Sequence, residues 1–161
     1  MASRASSDRR PRKVKYRIEP MSIADFNAAA RLWQLTEGVG LDKSDRRPEV
    51  ERYLARNPGL SYVARSGSEL VGALLCGHDG RRGYLYHLAV ASEHRRKGLG
   101  QKLVSASVAE LRRIGIHKCN LFLFSDNANG ELFWKKNGWV RRDGLRLMQK
   151  ALVPSKLRRS C

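Results

Sequence analysis

The sequence predicts a mixed α/β domain with a sheet of six to seven strands and about four helices, in the order β-α-α-β-β-β-α-β-α-β-β. Three observations predict it. Segments with apolar residues at helical spacing alternate with shorter strand-like segments, and Gly, Pro, Asn and Asp residues separate them. Short turns join the early strands, which favours antiparallel pairing. One long helix separates two later strands, as in a parallel crossover.

Capping and breaking residues set the bounds of the first three elements. Alternating polar and apolar side chains predict a strand that Pro20 ends. Ser22 and Asp25 have the spacing of a capping box, so the first helix begins there. Pro48 fits the first turn of a second helix, which the turn residues 57–59 terminate. These signals place a strand over residues 14–18 and helices over residues 22–37 and from residue 44 or 45 to 56.

Hydrophobic runs predict the rest of the sheet. Gly67 and Ser68 separate two strand-like runs, as in a β-hairpin. The run that ends at Val90 is apolar on both faces, which is typical of a strand inside a sheet. A stripe of apolar side chains three and four residues apart predicts a long helix that ends at Gly115. The predicted strands cover residues 60–65, 70–77, 83–90, 118–124 and a final pair within 139–150, and the predicted helices cover residues 99–114 and 127–137.

The chain is strongly basic, with 32 Lys and Arg against 15 Asp and Glu in 161 residues and a formal net charge of +17. Basic residues crowd both ends, so we expect one domain over residues 14–152, between a disordered basic arm (1–13) and a basic tail (153–161). The domain itself remains basic, which favours an anionic ligand such as a phosphorylated cofactor or a nucleic acid. The tails favour only nonspecific contact with polyanions.

Cysteine spacing and hydropathy exclude several classes of protein. Cys76, Cys119 and Cys161 lie far apart without CxxC or Cys/His spacing, so we expect neither a disulfide framework nor a bound metal. No apolar run approaches the roughly 20 residues of a membrane-spanning helix. The first residues lack the apolar core of a signal peptide. We therefore expect a cytoplasmic protein without membrane contact.

A short basic loop between a predicted strand and a predicted helix is the segment most informative about function. Glycines at a helix start let backbone N–H groups approach a ligand closely, and the helix dipole adds positive charge there. The loop lacks the Lys-Ser/Thr of a nucleotide P-loop, and Leu103 stands where a dinucleotide fingerprint has Gly or Ala. It therefore predicts a phosphate site of another kind. The loop consists of Arg95, Arg96, Lys97, Gly98, Leu99 and Gly100.

Two motifs resemble those of the GNAT N-acetyltransferases. Residues 95–100, which follow a Leu-Ala-Val strand, are similar to the family's acetyl-CoA signature, Arg-x-x-Gly-x-Gly. The segment 127–139, with an Asn, an aromatic pair, a Lys and a Gly-aromatic step, is similar to the family's later motif. The element order is similar to the family's fold over residues 14–150. Residues 77–90 resemble the small bacterial branch called YpeA-like acetyltransferases.

The resemblance implies acetyl-CoA as cosubstrate and assigns residues to its parts. Backbone groups of residues 88–90 would bind the pantetheine arm, which Asn127 would also contact. Residues 95–101 would hold the pyrophosphate, and the region 133–136 would line the far wall. The implied cofactor-binding residues are Leu88, Ala89, Val90, Arg95, Arg96, Lys97, Gly98, Leu99, Gly100, Gln101, Asn127, Phe133, Trp134 and Lys136.

The catalytic acid and base do not follow directly from the motifs. Many relatives carry a tyrosine as general acid at the position of Trp134, whose indole N–H does not release a proton in this pH range. His87, beside the predicted acetyl site, is a candidate general base because imidazole titrates near neutral pH. Tyr84, Tyr86 and Glu37 are the other candidates.

The resemblance implies an enzyme that moves the acetyl group of acetyl-CoA directly to an amine, since no cysteine lies near the motif as an acyl carrier. The acceptor would be a small molecule or a peptide or protein N-terminus, and a peptide terminus, a polyamine and an amino sugar stay open. Residues 38–48 and the helix pair are expected to form its pocket. We expect a monomer or a homodimer. The alternative is a non-catalytic module that binds acyl-CoA or docks on RNA.

Overall fold

A twisted sheet carries the residues of interest in the computed structural model, which describes residues 15–152. The described chain divides into two compact units, residues 15–127 and residues 128–152. The first unit contains strands β1 (Tyr16–Pro20), β2 (Tyr62–Ser66), β3 (Glu69–His78), β4 (Gly83–Val90) and β5 (Cys119–Leu121), and helices α1 (Phe26–Leu35), α2 (Arg47–Arg56) and α3 (Leu99–Arg113). The second contains helix α4 (Ala128–Lys136).

The strands lie side by side in the order β1-β2-β3-β4-β5. Neighbouring strands from β1 to β4 are antiparallel. Helices α1 and α2 connect β1 to β2, and short turns connect β2 to β3 and β3 to β4. Strands β4 and β5 are parallel, and the long helix α3 connects them. The predicted mixed α/β class and the parallel crossover are confirmed. No helix within residues 15–152 is long and apolar enough to cross a membrane.

The prediction of six to seven strands is wrong. The described residues form five strands, and the final pair expected within residues 139–150 is absent from the described part of the second unit. Val140 and Met148 are 82% and 92% exposed there. A strand requires a neighbour to satisfy its backbone hydrogen bonds, and an alternating sequence does not supply one. Strand β5 is also shorter than expected, ending at Leu121, and residue 14 lies outside the described residues.

Helices pack on both faces of the sheet. On one face, Ala29 and Trp33 of α1 and Val50 of α2 are buried in a cluster with side chains from β2, β3 and β4. On the other face, Leu103 of α3 lies over Gly72, where a Cβ would meet its methyl group at 3.1 Å. Helix α3 is therefore seated directly on the central strands, and its first turn is placed at the end of β4.

A buried hydroxyl also anchors α3. Ser107 is fully buried, and its Oγ donates a hydrogen bond of 2.7 Å to the carbonyl oxygen of Leu60. Ser105 lies on the same helix but is exposed. The two serines form a matched pair for measuring what the Ser107 hydroxyl contributes, which includes a hydrogen bond with the thiol of Cys76.

We expect Ser107→Ala to lower the free energy of unfolding by about 1–3 kcal/mol, because it leaves the buried Leu60 carbonyl without its partner. Ser105→Ala gains the same helix propensity without that loss, so it should change stability by less than about 0.5 kcal/mol. Urea unfolding followed by circular dichroism measures both values. Equal stability of the two variants would show that the Leu60 contact contributes nothing.

Candidate functional site

Strand β4 loses its neighbour half-way along its length. Residues 83–85 of β4 pair with residues 119–121 of β5, and β5 ends at Leu121 while β4 continues to Val90. On the β5 side, residues 86–90 therefore pair with no strand of the described chain. Backbone N–H and C=O groups along such an edge can bind an extended ligand as an added strand would. The predicted stretch Leu88, Ala89 and Val90 lies on this free edge.

A β-bulge interrupts β4 at the start of that edge. Tyr86 pairs with Leu75 and Ala89 pairs with Ala73, so one residue of β3 faces two residues of β4. His87 is the first of the two and has φ 56°, a left-handed conformation that few non-glycine residues adopt. The bulge turns the side chain of His87 out of the regular alternation of the strand.

His87 is held by an acidic partner from a distant segment. Its Nε2 lies 2.5 Å from Oδ1 of Asp45, and its ring centroid lies 5.3 Å from that of Trp33. Asp45 is itself fixed, because its Oδ2 accepts the backbone N–H of Asp42 at 2.8 Å. In the neutral tautomer with its proton on Nε2, His87 donates to Asp45, and Nδ1 carries no proton. A ring nitrogen without a proton can accept one from a substrate, as a general base does.

The basic loop follows β4 as predicted and leads into α3. Arg95 folds back, and its Nε donates to the carbonyl oxygen of Val90 at 2.9 Å. Gly98, at φ 76°, is the N-cap of α3, and a Cβ built on it would meet no atom within 4 Å. Among residues 15–152, no side chain caps the N-terminus of α3. The N–H groups of a helix's first turn have no partner within the helix, so this end suits a phosphate group.

The other residues of the loop differ in their burial and in their hydrogen bonds. Leu99 is 1% exposed and packs in the core, so its side chain does not face a ligand. Gly100 and Gln101 lie in the first turn of α3, and Arg96 is exposed at φ 57°. The ammonium of Lys97 donates to the carbonyl oxygen of Glu93 at 2.9 Å.

Tyr16 supports this loop from β1, a contact that sequence reasoning missed. Its hydroxyl lies 2.9 Å from Nδ1 of His94, and the ammonium of Lys97 sits 6.0 Å from its ring centroid. Tyr16 and His94 are 78 residues apart, so no local pattern in the sequence signals the contact. The edge strand β1 thus helps to order the loop that follows β4.

Comparisons with known proteins agree on the family. Residues 26–139 match the family described as "Acetyltransferase (GNAT) family". The chain belongs to this family. An acetyltransferase of Sodalis glossinidius is 30% identical over 129 residues, which cover 80% of this chain and 90% of that protein. These matches show the family and do not show that the chain belongs to the YpeA-like branch.

Solved structures show the same fold. Ard1 from Thermoplasma volcanium superposes with a TM-score of 0.69 at 21% identity, covering 78% of this chain and 82% of that one. PaiA N-acetyltransferase from Thermoplasma acidophilum, solved in complex with coenzyme A, has a TM-score of 0.67 at 20% identity and covers 76% and 88%. These two structures show the fold, and the family match and the Sodalis relative show that the chain is an acetyltransferase.

Two of the other base candidates of the acetyltransferase lie off the free edge. Tyr84 is on β4, where β5 still pairs with the strand, and its ring stacks with those of Tyr86 and Phe122 at centroid distances of 6.5 and 6.4 Å. Its hydroxyl is 3.5 Å from Oδ2 of Asp79. Glu37 is exposed in the turn after α1. Tyr86 lies on the free edge beside His87, and burial raises the pKa of its phenol, which makes it a poor base.

Asn127 lies against the loop that follows α1. A Cβ on Gly38 would overlap the amide of Asn127, and a Cβ on Gly40 would come within 2.7 Å of the ring of Phe124. Both glycines thus permit close packing between this loop and the segment after β5. Asn127, which is expected to contact pantetheine, therefore touches the loop 38–48, which is expected to border the acceptor.

The remaining predicted residues belong to the second unit. Trp134 of α4 makes edge-to-face ring contacts with Phe133 and Trp139, each with centroids 5.1 Å apart. Lys136 is exposed near the end of the helix. The indole of Trp134 is thus part of an aromatic cluster.

Neither described cysteine is activated. Burial is the main cause that raises the pKa of Cys76 to about 12 and that of Cys119 to about 11. The thiolate is the nucleophilic form of cysteine, so both thiols are protonated and unreactive near neutral pH.

We expect iodoacetamide at about pH 8 to alkylate Cys76 and Cys119 much more slowly in the folded acetyltransferase than in guanidinium chloride. A raised pKa lowers the thiolate fraction at a given pH, and unfolding returns both groups to a pKa near 8.5. Peptide mass spectrometry over time measures each cysteine separately, with the unfolded chain as control. Equal rates in the two states would contradict the burial of these thiols.

Proposed function

We propose that this acetyltransferase moves the acetyl group of acetyl-CoA directly to the amine of a small molecule or of a peptide or protein N-terminus. The free edge of β4, which runs into the uncapped N-terminus of α3, is the observation that carries the proposal. Coenzyme A has an extended pantetheine arm and a pyrophosphate, which match a free strand edge and an anion site. Acetyl-CoA supplies an activated thioester.

Each part of the cosubstrate has proposed contacts. Backbone groups of residues 88–90 bind the pantetheine arm, together with Asn127. Residues 95–101 bind the pyrophosphate through their N–H groups and cations. Lys97 and Leu99 contribute mainly through the backbone, because one packs on Tyr16 and the other is buried. Phe133, Trp134 and Lys136 are assigned to the far wall on the family's motif, and membership of the YpeA-like branch is proposed on residues 77–90.

His87 is the proposed general base and Asp45 its positioning residue. The amine gives a proton to the imidazole as its nitrogen forms a bond to the acetyl carbon, and the carbon–sulfur bond breaks to release the CoA thiolate. A free thiol has a pKa near 8.5, so the thiolate leaves without a tyrosine at position 134. The protonated state of Cys76 and Cys119 favours direct transfer over a cysteine-bound intermediate.

Release of free thiol from acetyl-CoA, measured with a panel of amines and peptides, tests the proposed function. We expect release that depends on an amine, with the acetylated product identified by mass spectrometry. Tight binding of CoA without turnover of any amine would favour the alternative, a non-catalytic acyl-CoA-binding module.

Replacing Gly98 by Leu should weaken CoA binding by at least about tenfold, because a side chain would fill the space in front of the α3 N–H groups. Gly80→Leu is the control, since Gly80 also has a positive φ and open space but lies in the β3–β4 turn. Arg95→Ala should lose about 1.5–3 kcal/mol of binding if its guanidinium meets phosphate. Calorimetry with CoA measures all three variants. Equal affinity of Gly98→Leu and Gly80→Leu would contradict the assignment.

His87→Asn should lower kcat by about 10²- to 10⁴-fold, because asparagine tolerates the left-handed backbone but does not accept a proton. Asp45→Asn should lower kcat less, since the imidazole remains. Tyr84→Phe is the control and should retain most activity. These values are measured with the best amine of the panel, after CoA affinity is shown to be unchanged. A larger loss in Tyr84→Phe than in His87→Asn would assign the base to Tyr84.

A further inference from the structure

A cavity of about 350 Å³ opens between α1 and the segment that leads into α2. We call it the acceptor cavity. It is lined by Phe26, Ala30, Trp33, Gln34, Leu41, Asp42, Asp45, Arg46 and Arg47. Asp45 joins the cavity to the proposed catalytic centre, because the same carboxylate contacts Nε2 of His87. A volume of this size is that of a small-molecule site.

One part of the lining is apolar. Phe26 and Ala30 are half-buried on α1, Leu41 is 36% exposed, and Trp33 is 1% exposed at the base. The indole Nε1 of Trp33 is buried and has no hydrogen-bond partner among the described residues. A buried N–H without a partner is costly, so a ligand atom that accepts its hydrogen bond would be favoured.

The polar part of the lining carries charges of both signs. Hydrogen bonds from Ser44, first of all from its backbone N–H, lower the pKa of Asp42, so this carboxylate is ionised at neutral pH. Arg46 and Arg47 supply two guanidinium groups, and neither forms an ion pair with an acidic side chain of residues 15–152. The guanidinium of Arg47 lies 5.7 Å from the ring centroid of Phe26, beside the apolar wall.

We propose that the acceptor is a free α-amino acid with an apolar side chain, so that Asp42 faces its amine, Arg46 and Arg47 face its carboxylate, and its side chain lies on the apolar wall. The inference rests on the proposed function and names the substrate class of the same site. An amine with a carboxylate beside it can pair with both kinds of charge in this lining. The product is the N-acetyl amino acid and free CoA.

Other amine classes match this lining less well. A diamine would leave both guanidinium groups without an anion and would bring a second cation towards them. An amino sugar would press hydroxyl groups against the apolar wall, where they lose hydrogen bonds to water. A peptide N-terminus presents a neutral amide where the amino acid presents a carboxylate, so it gains no charge-assisted bond from Arg46 or Arg47.

Thiol release with matched acceptors tests the proposal on the full-length enzyme. The probes are methionine, phenylalanine and leucine, the amide and the decarboxylated amine of each, putrescine and glucosamine. We expect kcat/KM for each amino acid to exceed that of its amide by about tenfold or more, because the amide loses the charge-assisted contact. Putrescine and glucosamine should be slower still.

Variants of cavity residues test whether the preference for a free carboxylate arises in the acceptor cavity. Arg46→Gln and Arg47→Gln should each reduce the ratio of amino acid to amide by several-fold, through KM more than kcat. Arg31→Gln, on an exposed part of α1 outside the cavity lining, is the matched control and should leave the ratio unchanged. Ala30→Leu should slow phenylalanine more than alanine, because it fills part of the cavity.

The outcomes separate the two proposals. Turnover of no amine, with CoA still bound, would overturn the proposed function and this inference with it. Turnover of amines without preference for a free carboxylate would overturn the inference and leave the function standing. A preference that survives in both Arg46→Gln and Arg47→Gln would also overturn it, since the carboxylate would then bind elsewhere.

Discussion

The early end of β5 is the constraint on which the rest of the site depends. Because pairing stops at Leu121, the last residues of β4 have no neighbouring strand on that side, and at its end the Val90 carbonyl accepts the hydrogen bond of Arg95. Buried strand edges are usually covered, and an edge left open inside a fold is a natural place for an extended ligand. The parallel crossover through α3 then brings a helix N-terminus to the end of that same edge. In the function we propose, the pantetheine arm and the pyrophosphate of acetyl-CoA bind to these two neighbouring features.

The bulge at His87 joins this edge to the helix pair. A left-handed conformation costs a non-glycine residue about 1–2 kcal/mol, so it persists only where the surroundings support it. Here the support is the contact with Asp45 and the ring of Trp33. The same carboxylate lies in the wall of the acceptor cavity. One strained residue therefore connects the cosubstrate edge of the sheet with the cavity between α1 and α2.

Predictions from the sequence were most accurate where the signal is local. The Gly98 loop combines a strand end, cations and a helix start within one short segment, and the structure places these elements as expected. The strand over residues 83–90 and the helix from Leu99 also have the expected starts. The final strand pair within 139–150 was wrong because alternation shows which side chains share a face but not whether a partner strand lies beside them.

By itself, the sequence determined the α/β class, the crossover and the position of the basic loop before α3, since periodicity, capping and glycine placement are properties of neighbouring residues. Only the tertiary structure decided how the catalytic candidates differ. Tyr84 and His87 stand three positions apart on one strand, yet β5 pairs with the strand at Tyr84, and the bulge at His87 lies where that pairing has ended. His87 and Asp45 are 42 residues apart, and Tyr16 and His94 are 78 apart. Contacts over such separations arise from how the strands and helices pack together, and no periodic pattern along the chain encodes them.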